Sequence, residues 1–344
     1  MKQMTNAKPY FRLFANCIPV KGATRSTICD LQRNTYRFIP TLFYEILAEL
    51  QEQTIEAVKA SYNHQYDQGI DHYLELLVKS EWGFWTDEPT RFPAINLQWS
   101  HSATITNAII DINQQSNHKF EKIHKELDEL GCKALELRIY HQIFPPQLHQ
   151  ILDAFQFSRL QFIALNLPYT SEWTEIAMKS LVEKYPRVQQ MIFHTAPKDA
   201  VHQLSAKVPL NVVFTSAIID SKYHCGIVNP MYFSPNLSHF TEAQKHNTCL
   251  NRKISIDQDG NIKNCPSMEK SYGNHRESSL KDAVQKKHFR EVWSIHKDQI
   301  TTCKDCEFRY ICTDCRAYVE DIYSKPKKCG YNPYTAKWEG EHAV

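Results

Sequence analysis

The stretch that decides the fold is CKDCEFRYICTDC, Cys303 to Cys315, which carries four cysteines. Two C-x-x-C pairs in so short a segment are typical of metal binding. A zinc ribbon separates its two pairs by about 15 to 20 residues, so that both pairs can face one ion. Here only five residues separate Cys306 from Cys312. We therefore predict that these four thiols are divided between two metal centres.

The other cysteines supply the missing ligands. The 344-residue chain has 11 cysteines, and eight of them lie between Cys225 and Cys329, enough for two sets of four. Two structural zinc ions and two iron-sulfur clusters both use thiolate-rich sites, so the spacing by itself leaves both open. We interpret the remaining cysteines, Cys17, Cys29 and Cys132, as small buried residues.

The composition is that of an ordinary globular protein, with 42% hydrophobic and 23% charged residues. The formal net charge of +2 does not favour nucleic acid or an anionic membrane as a partner. No signal peptide is visible in the first twenty residues, and no run of about twenty apolar residues could span a bilayer. We expect a cytoplasmic protein, in which reduced cysteines favour metal binding over disulfides.

The predicted fold class is α/β, with three domains. Residues 1–96 are predicted to form a small α+β domain, because three short apolar or alternating runs precede three segments of helical spacing. Residues 97–220 alternate five strands with helices, the last of them a short helix around KDAVHQL, which predicts a parallel sheet or partial (β/α) barrel. No glycine-rich phosphate loop follows any of these strands.

Residues 221–344 form the predicted cysteine-rich domain. Few segments there have the apolar spacing of a strand or a helix. The exceptions are a predicted strand-turn-strand in KISIDQDGNIKNC and a predicted helix around LKDAVQKKHFREVWSIHK. A segment so poor in continuous apolar runs cannot easily bury a core of its own. We therefore expect metal ligation to supply much of its stability.

These residues resemble a known family, the SPASM domain. The unit Cys249-x10-Gly260-x4-Cys265, the run from Cys303 and the cysteine before GYNPY all follow its pattern. The phrases ISIDQDGNIKNCPSM and DCEFRYICTDCRAY are similar to the version found in grasp-with-spasm systems of ribosomal peptide maturation. SPASM domains extend radical S-adenosylmethionine enzymes that modify peptides, and they hold two auxiliary 4Fe-4S clusters.

The resemblance implies a ligand set for each cluster. The first cluster would use Cys249, Cys265 and Cys315, with Cys225 as the fourth ligand. The second cluster would use four further cysteines: Cys303, Cys306, Cys312 and Cys329. The spacing departs from the family at one point, since two residues rather than three separate Cys312 from Cys315.

One part of the family pattern is missing. A radical enzyme of this superfamily needs C-x3-C-x2-C after its first barrel strand, but the corresponding loop here reads NQQSNHKFEK. We therefore expect no S-adenosylmethionine cleavage. Polar residues at the ends of the first two barrel strands, Asp111, Asn113 and Arg138, lie where barrel enzymes place chemistry, although polar strand ends are also common without a catalytic role.

The resemblance also implies partners. The N-terminal domain is similar to the small winged-helix elements that bind a leader peptide as an added strand, with STICDLQRNTYRFIP as the hairpin. The family implies a companion ATP-grasp ligase that forms side-chain ester or amide rings. The predicted function is an iron-sulfur accessory protein for maturation of a ribosomally made peptide, which binds precursor or ligase or transfers electrons. A redox peptide-modifying enzyme and a zinc-stabilised binding protein are the alternatives.

Overall fold

A small α+β unit begins the computed structural model, which describes residues 9–204 and 210–340. Strands β2, β3 and β4 form a three-stranded antiparallel sheet, and β1 pairs with β5 in a separate two-stranded sheet. The elements of this unit are β1 (Tyr10–Leu13), β2 (Cys17–Val20), β3 (Arg25–Asp30), β4 (Thr35–Pro40), α1 (Thr41–Glu49), α2 (Ile55–Ser61), α3 (Asp67–Lys79) and β5 (Gly83–Thr86).

Both faces of the three-stranded sheet are covered. Successive residues of a strand point to opposite faces. Ile28 therefore packs with Phe43 of α1, in the core that the three helices cover. Its neighbour Cys29 faces the other way, into a cluster that contains Phe308 and Ile311 of the cysteine-rich region. The sheet is thus a layer between its own helices and the region that carries the predicted metal ligands.

An eight-stranded sheet forms the centre of the molecule, in the order β10-β11-β9-β8-β7-β6-β12-β13. Six adjacent strands, from β11 to β12, are parallel. Its elements are β6 (Asn107–Ile112), α4 (Phe120–Glu129), β7 (Ala134–Ile139), α5 (Pro145–Asp153), β8 (Phe162–Pro168), α6 (Glu175–Lys184), β9 (Val188–His194), β10 (Ala200–Gln203), β11 (Asn211–Phe214), β12 (Lys253–Ile256) and β13 (Ile262–Lys263).

The alternation of strands and helices confirms the predicted α/β class, and the mostly parallel sheet is consistent with a partial barrel. Helix α4 buries Ile123 and Leu127, four residues apart, against strand residues such as Leu135. It ends at Glu129, and Gly131, the residue after the C-cap Leu130, has a φ of +79°, the left-handed conformation typical of that position. The five predicted strands of this region are all present, as β6, β7, β8, β9 and β11.

One predicted helix is wrong. The segment KDAVHQL forms strand β10 instead, paired antiparallel to β11 from Ala200 opposite Phe214 to Gln203 opposite Asn211. The backbone groups on the open edge of β11 need hydrogen-bond partners, and a hairpin supplies them where an exposed helix would not. The first N-terminal run also divides into two strands, β1 and β2, and β5 was not predicted.

The cysteine-rich region contains little regular structure beyond β12 and β13. Its first strand, β12, pairs parallel to β6, so it extends the central sheet across the predicted domain boundary at residue 220. The predicted helix around residues 280–297 is short, because the chain leaves the helical conformation at Lys286. The remaining elements are α7 (Leu237–Ala243), α8 (Leu280–Gln285), β14 (Tyr331–Asn332) and β15 (Lys337–Trp338).

Six short 3-10 helices complete the described secondary structure: Pro89–Arg91, Lys222–His224, Pro230–Tyr232, Glu291–Ser294, Lys297–Gln299 and Cys303–Asp305. Within residues 9–204 and 210–340, none of the helices has the length and apolar character that crossing a bilayer requires.

Candidate metal centres

The first thiol group is the set of four cysteines that the resemblance assigned to one cluster: Cys225, Cys249, Cys265 and Cys315. Cys225 follows a 3-10 turn, and Cys249 lies just before β12. Cys265 follows β13, so the β12–β13 hairpin holds the second and third thiols at its open end. Four separate segments of the chain thus contribute one thiol each.

Electrostatic interactions show that these four thiols are neighbours. Burial raises the pKa of Cys225, and the thiols of Cys249 and Cys315 raise it further. Burial also raises the pKa of Cys265 to about 11, with smaller contributions from Cys249 and Cys225. The pKa of Cys315 is raised by burial and then by Cys249 and Cys265. Each thiol is therefore within electrostatic reach of the other three.

Gly226 allows the chain to approach this group closely. It has φ +86°, and a Cβ atom there would lie 2.8 Å from Sγ of Cys315. Any larger residue would therefore push against the thiol. On another side of the group, Nζ of Lys253 lies 3.7 Å from Sγ of Cys249.

The second thiol group is the other predicted set: Cys303, Cys306, Cys312 and Cys329. These four cysteines line a single cavity of about 30 Å³. The 3-10 helix Cys303–Asp305 brings the first two together, because the amide of Cys306 donates to the carbonyl of Cys303 at 3.0 Å. The walls of the cavity are otherwise mainly apolar and include Phe233 and Phe308.

The thiols of the second group also interact with one another. Burial raises the pKa of Cys303 to about 12, Lys297 opposes this rise, and Cys312 and Cys329 add to it. Burial raises the pKa of Cys306 strongly, with additions from Cys312 and Cys303. The lining of the cavity also contains two cations, Lys297 and Arg309.

Thr313 and Asp314 lie between Cys312 of the second thiol group and Cys315 of the first. Asp314 is 2% exposed, and its Oδ1 lies 2.8 Å from Nη2 of Arg316. Arg316 also donates to the carbonyl of Ser324 at 2.7 Å. Despite the departure from the usual family spacing, Cys315 lies near the other thiols of the first group, since Cys249 and Cys265 both raise its pKa.

Within residues 9–204 and 210–340, no three or more Cys, His, Asp or Glu side chains lie in an arrangement that could hold a single metal ion.

The three cysteines outside the two groups, Cys17, Cys29 and Cys132, are 3%, 0% and 0% exposed. Their burial agrees with the interpretation as small core residues. Burial raises the pKa of each of their thiols to about 12.

By the chemistry of their donor atoms, though not by a single-ion arrangement among the described residues, the residues of each group fit a thiolate-bound centre. Each group presents four thiols, the ligands of iron-sulfur clusters and of structural zinc. Each group also has a lysine beside it, and Lys297 is only 4% exposed. A buried ammonium is costly unless negative charge lies close to it. Four deprotonated thiols would supply that charge.

A separate cavity lies on the face of the central sheet that is turned away from the helices. It has a volume of about 260 Å³ and is lined by residues of β6, β7, β8 and β9, which include Asn107, Glu136 and Asn166. Lys253 lines it as well, so the same side chain borders this cavity and the first thiol group.

The predicted polar strand ends lie beyond this cavity. Nε of Arg138 donates to Oδ1 of Asp111 at 2.7 Å, and both side chains are almost completely buried. Asn113 is not part of this pair, since its side chain accepts from the hydroxyl of Ser116 at 3.0 Å. The pair is a structural link between β6 and β7, and the sequence suggested its members but not their contact.

A comparison with known protein families agrees with the SPASM resemblance of the cysteine-rich region. Residues 248–307 match the SPASM family, described as an iron-sulfur cluster-binding domain. The matched range contains Cys249 and Cys265 of the first group and Cys303 and Cys306 of the second. The other four cysteines lie outside it. No curated protein matches the chain.

Eight chains of solved structures match this chain. SuiB from Streptococcus suis bound to S-adenosylmethionine has 11% sequence identity and a TM-score of 0.34, with 95% of this chain and 99% of that chain covered. SuiB bound to the precursor peptide SuiA has 11% identity and a TM-score of 0.32, with 91% and 98% covered. These TM-scores are too low to transfer structural detail or activity.

Sequence reasoning missed the charged residues around the two groups. Lys253, Lys297 and Glu307 follow no ligand spacing. Lys253 lies only four positions from Cys249, but Lys297 is 15 positions from Cys312 and Glu307 is 282 positions from Arg25. No signal in the sequence marks these three charges as neighbours of the thiols.

Proposed function

We propose that this chain is an iron-sulfur accessory protein in the maturation of a ribosomally synthesised and post-translationally modified peptide, of the grasp-with-spasm type. It binds the precursor peptide or an ATP-grasp ligase and transfers electrons through two 4Fe-4S clusters. The first thiol group holds one cluster and the second holds the other. When bound, such clusters supply one-electron redox chemistry.

The observation that carries the proposal is the division of eight cysteines into two neighbouring sets of four. The match of residues 248–307 to an iron-sulfur cluster-binding domain supports the choice of iron and sulfide over zinc. Four thiolates saturate a four-iron cluster, so each proposed centre has no open iron for a substrate. This ligand count favours scaffolding or electron transfer over direct activation of the peptide.

We also propose that no S-adenosylmethionine is cleaved. The loop after β6, residues 113–119, contains no cysteine, so it lacks the three thiolates that hold a radical-generating cluster. The role of the chain's own residues is therefore to bind and position partners and to shield the two proposed centres from solvent. The apolar walls of the second group's cavity support the latter role.

The precursor peptide is proposed to bind at the β3–β4 hairpin. Strand β4 pairs only with β3 in the described sheet, so its outer edge can accept an added strand. Phe38, in the middle of β4, is 41% exposed. Its neighbour Tyr36 contacts Phe308 at 5.6 Å between ring centroids, which connects this strand to the region around the second thiol group.

One observation favours a second function. The cavity of about 260 Å³ borders Lys253 and therefore lies beside the first thiol group. A substrate group bound there would be close to a redox centre. If Cys225 were not a ligand, the first cluster would have an open iron, and the chain would be a redox peptide-modifying enzyme.

Iron analysis tests the proposed cofactors. Protein purified without oxygen should contain about eight iron atoms per chain and absorb broadly in the visible range, as two four-iron clusters would. Colourless protein loaded with zinc would instead establish the zinc-stabilised binding protein.

Co-expression tests the role. The full chain is expressed with an ATP-grasp ligase and a precursor peptide from the same gene neighbourhood, and the peptide is weighed by mass spectrometry. Loss of water that requires the ligase supports an accessory protein. Loss of hydrogen from peptide expressed with this chain alone would establish the oxidative enzyme and contradict the accessory role.

Hydrogen exchange tests the binding site. An added strand should slow the exchange of β4 amides, Thr35 to Ile39, when the precursor is bound. The amides of β5, Gly83 to Thr86, are the internal control and should not change. Slowed exchange at β5 but not at β4 would refute the assignment to this hairpin.

A further inference from the structure

Each thiol group has one lysine beside it, and the second of these lysines is the more enclosed. Lys297 is 4% exposed, and its Nζ donates to the carbonyl of Cys312 at 2.7 Å. It lines the same cavity as the four thiols of the second group. Asp314 also interacts with it, but that carboxylate is in contact with Arg316 at 2.8 Å.

A lysine in this position needs negative charge nearby. Its ammonium is largely removed from water. The carbonyl oxygen of Cys312 and the carboxylate of Asp314, which is shared with Arg316, compensate its positive charge only in part. Four thiolates in the same cavity would complete the compensation. The position of Lys297 is therefore costly in a chain without a bound centre and favourable in one with it.

Lys253 has the corresponding position beside the first thiol group. Its Nζ lies 3.7 Å from Sγ of Cys249, and it also interacts electrostatically with Cys265 and Cys225. Lys253 also borders the cavity on the central sheet, and it interacts electrostatically with two carboxylates, Glu136 and Glu242. The two lysines come from unrelated elements, β12 and the 3-10 helix Lys297–Gln299.

We propose that Lys253 and Lys297 are counter-ions, one for each thiol group, and that each raises the reduction potential of the centre it faces. The inference rests on the proposed function, because it requires the thiol groups to hold clusters. Reduction adds one electron to a centre that is already negative. A fixed positive charge beside it stabilises the reduced form more than the oxidised form, so the potential rises.

The test compares lysine variants of the full chain after anaerobic reconstitution. Lys297→Met should shift the potential of the second centre to a more negative value and leave the first unchanged. Lys253→Met should do the reverse. The corresponding arginine variants keep the charge and should stay near the wild-type potentials. The readouts are iron per chain and a redox titration followed by electron paramagnetic resonance.

Three further variants make the result interpretable. Cys329→Ala and Cys225→Ala each remove one centre, which assigns each resonance signal to its thiol group. Lys59→Met is the matched control, because Lys59 is also largely buried, with a side chain 12% exposed, but is paired with Asp71 at 2.7 Å in the N-terminal unit. It should change neither potential.

Each outcome decides the question. Potentials that do not move in both methionine variants would overturn the counter-ion role and leave the proposed function intact. Wild-type protein that binds no iron would overturn the proposed function and this inference with it. Loss of iron in a methionine variant that arginine restores would support the counter-ion role. Equal loss of iron in the methionine and arginine variants would assign a packing role to the lysine and overturn the inference.

Discussion

Nε of Arg25 lies 2.8 Å from Oε1 of Glu307, although the two residues are 282 positions apart in the chain. The side chain of Glu307 is completely buried, and the hydroxyl of Tyr331 also donates to it. Glu307 directly follows Cys306. The ion pair therefore connects the N-terminal sheet to the loop that carries Cys306, a predicted ligand of the second thiol group.

Breaking this ion pair should destabilise the protein. Arg25→Met leaves a buried carboxylate without its cation, and the free energy of unfolding should fall by about 2–4 kcal/mol, as for other broken buried pairs. Denaturant unfolding measures the change. Arg91→Met is the control, because Arg91 and Glu88 have side chains 70% and 59% exposed and their pair should contribute less than about 1 kcal/mol. Equal losses of unfolding free energy in the two variants would show that the burial of Glu307 does not make its ion pair with Arg25 more stabilising than an exposed pair.

Replacing single cysteines should empty one centre at a time. Cys225→Ala should remove the iron of the first thiol group, and Cys329→Ala that of the second, so each variant retains about half of the iron. The double variant should retain almost none. Cys132→Ala, a change outside both groups, should retain all of it. Iron analysis measures these amounts, and full iron in Cys225→Ala would show that Cys225 is not a required ligand.

Adding a methyl group at Gly226 should disturb the first centre. Gly226→Ala places a Cβ atom 2.8 Å from Sγ of Cys315, so the thiol must move and the iron content should fall toward half. The matched control is Gly340→Ala, which has the same φ of +86° but no heavy atom within 4 Å of the new Cβ. That control carries only backbone strain, about 1 kcal/mol, and should keep its iron. Equal iron in both variants would contradict the predicted position of Cys315.

The stability of the protein should depend on pH through Glu242. Burial raises the pKa of Glu242 to about 7, while Nδ2 of Asn251, which donates to it at 2.8 Å, opposes the rise. The folded protein then binds this proton more tightly than the unfolded chain does, so stability falls as pH rises from about 4.5 to about 7.

Glu242→Gln removes this titration. The loss of unfolding free energy between pH 5 and pH 7.5 should be smaller in the variant than in the wild type by about 1–3 kcal/mol. Denaturant unfolding at several pH values measures the difference. Identical pH profiles for the two proteins would show that Glu242 titrates at its ordinary value in the folded state.

Local patterns in the sequence predicted much of the fold. Five of the eight strands of the central sheet, the end of α4 just before Gly131 and the hairpin of β12 and β13 follow from short-range apolar spacing and turn residues. The segment KDAVHQL shows where such patterns fail. Its spacing favoured a helix, but the open edge of β11 requires a hydrogen-bonded partner, and this requirement is not visible within the segment itself.

The sequence by itself determined that eight cysteines lie between Cys225 and Cys329, and it predicted their division between two sites, because the spacing of CKDCEFRYICTDC does not suit a single closed site. Only the tertiary structure decided which charged residues surround the thiols. Lys253 and Lys297 lie beside them, and Arg25 forms an ion pair with Glu307, 282 positions away in the chain. Ligand spacing is a local property of the chain. The charges that balance a buried site come from whichever segments pack around it, and that packing depends on the complete fold.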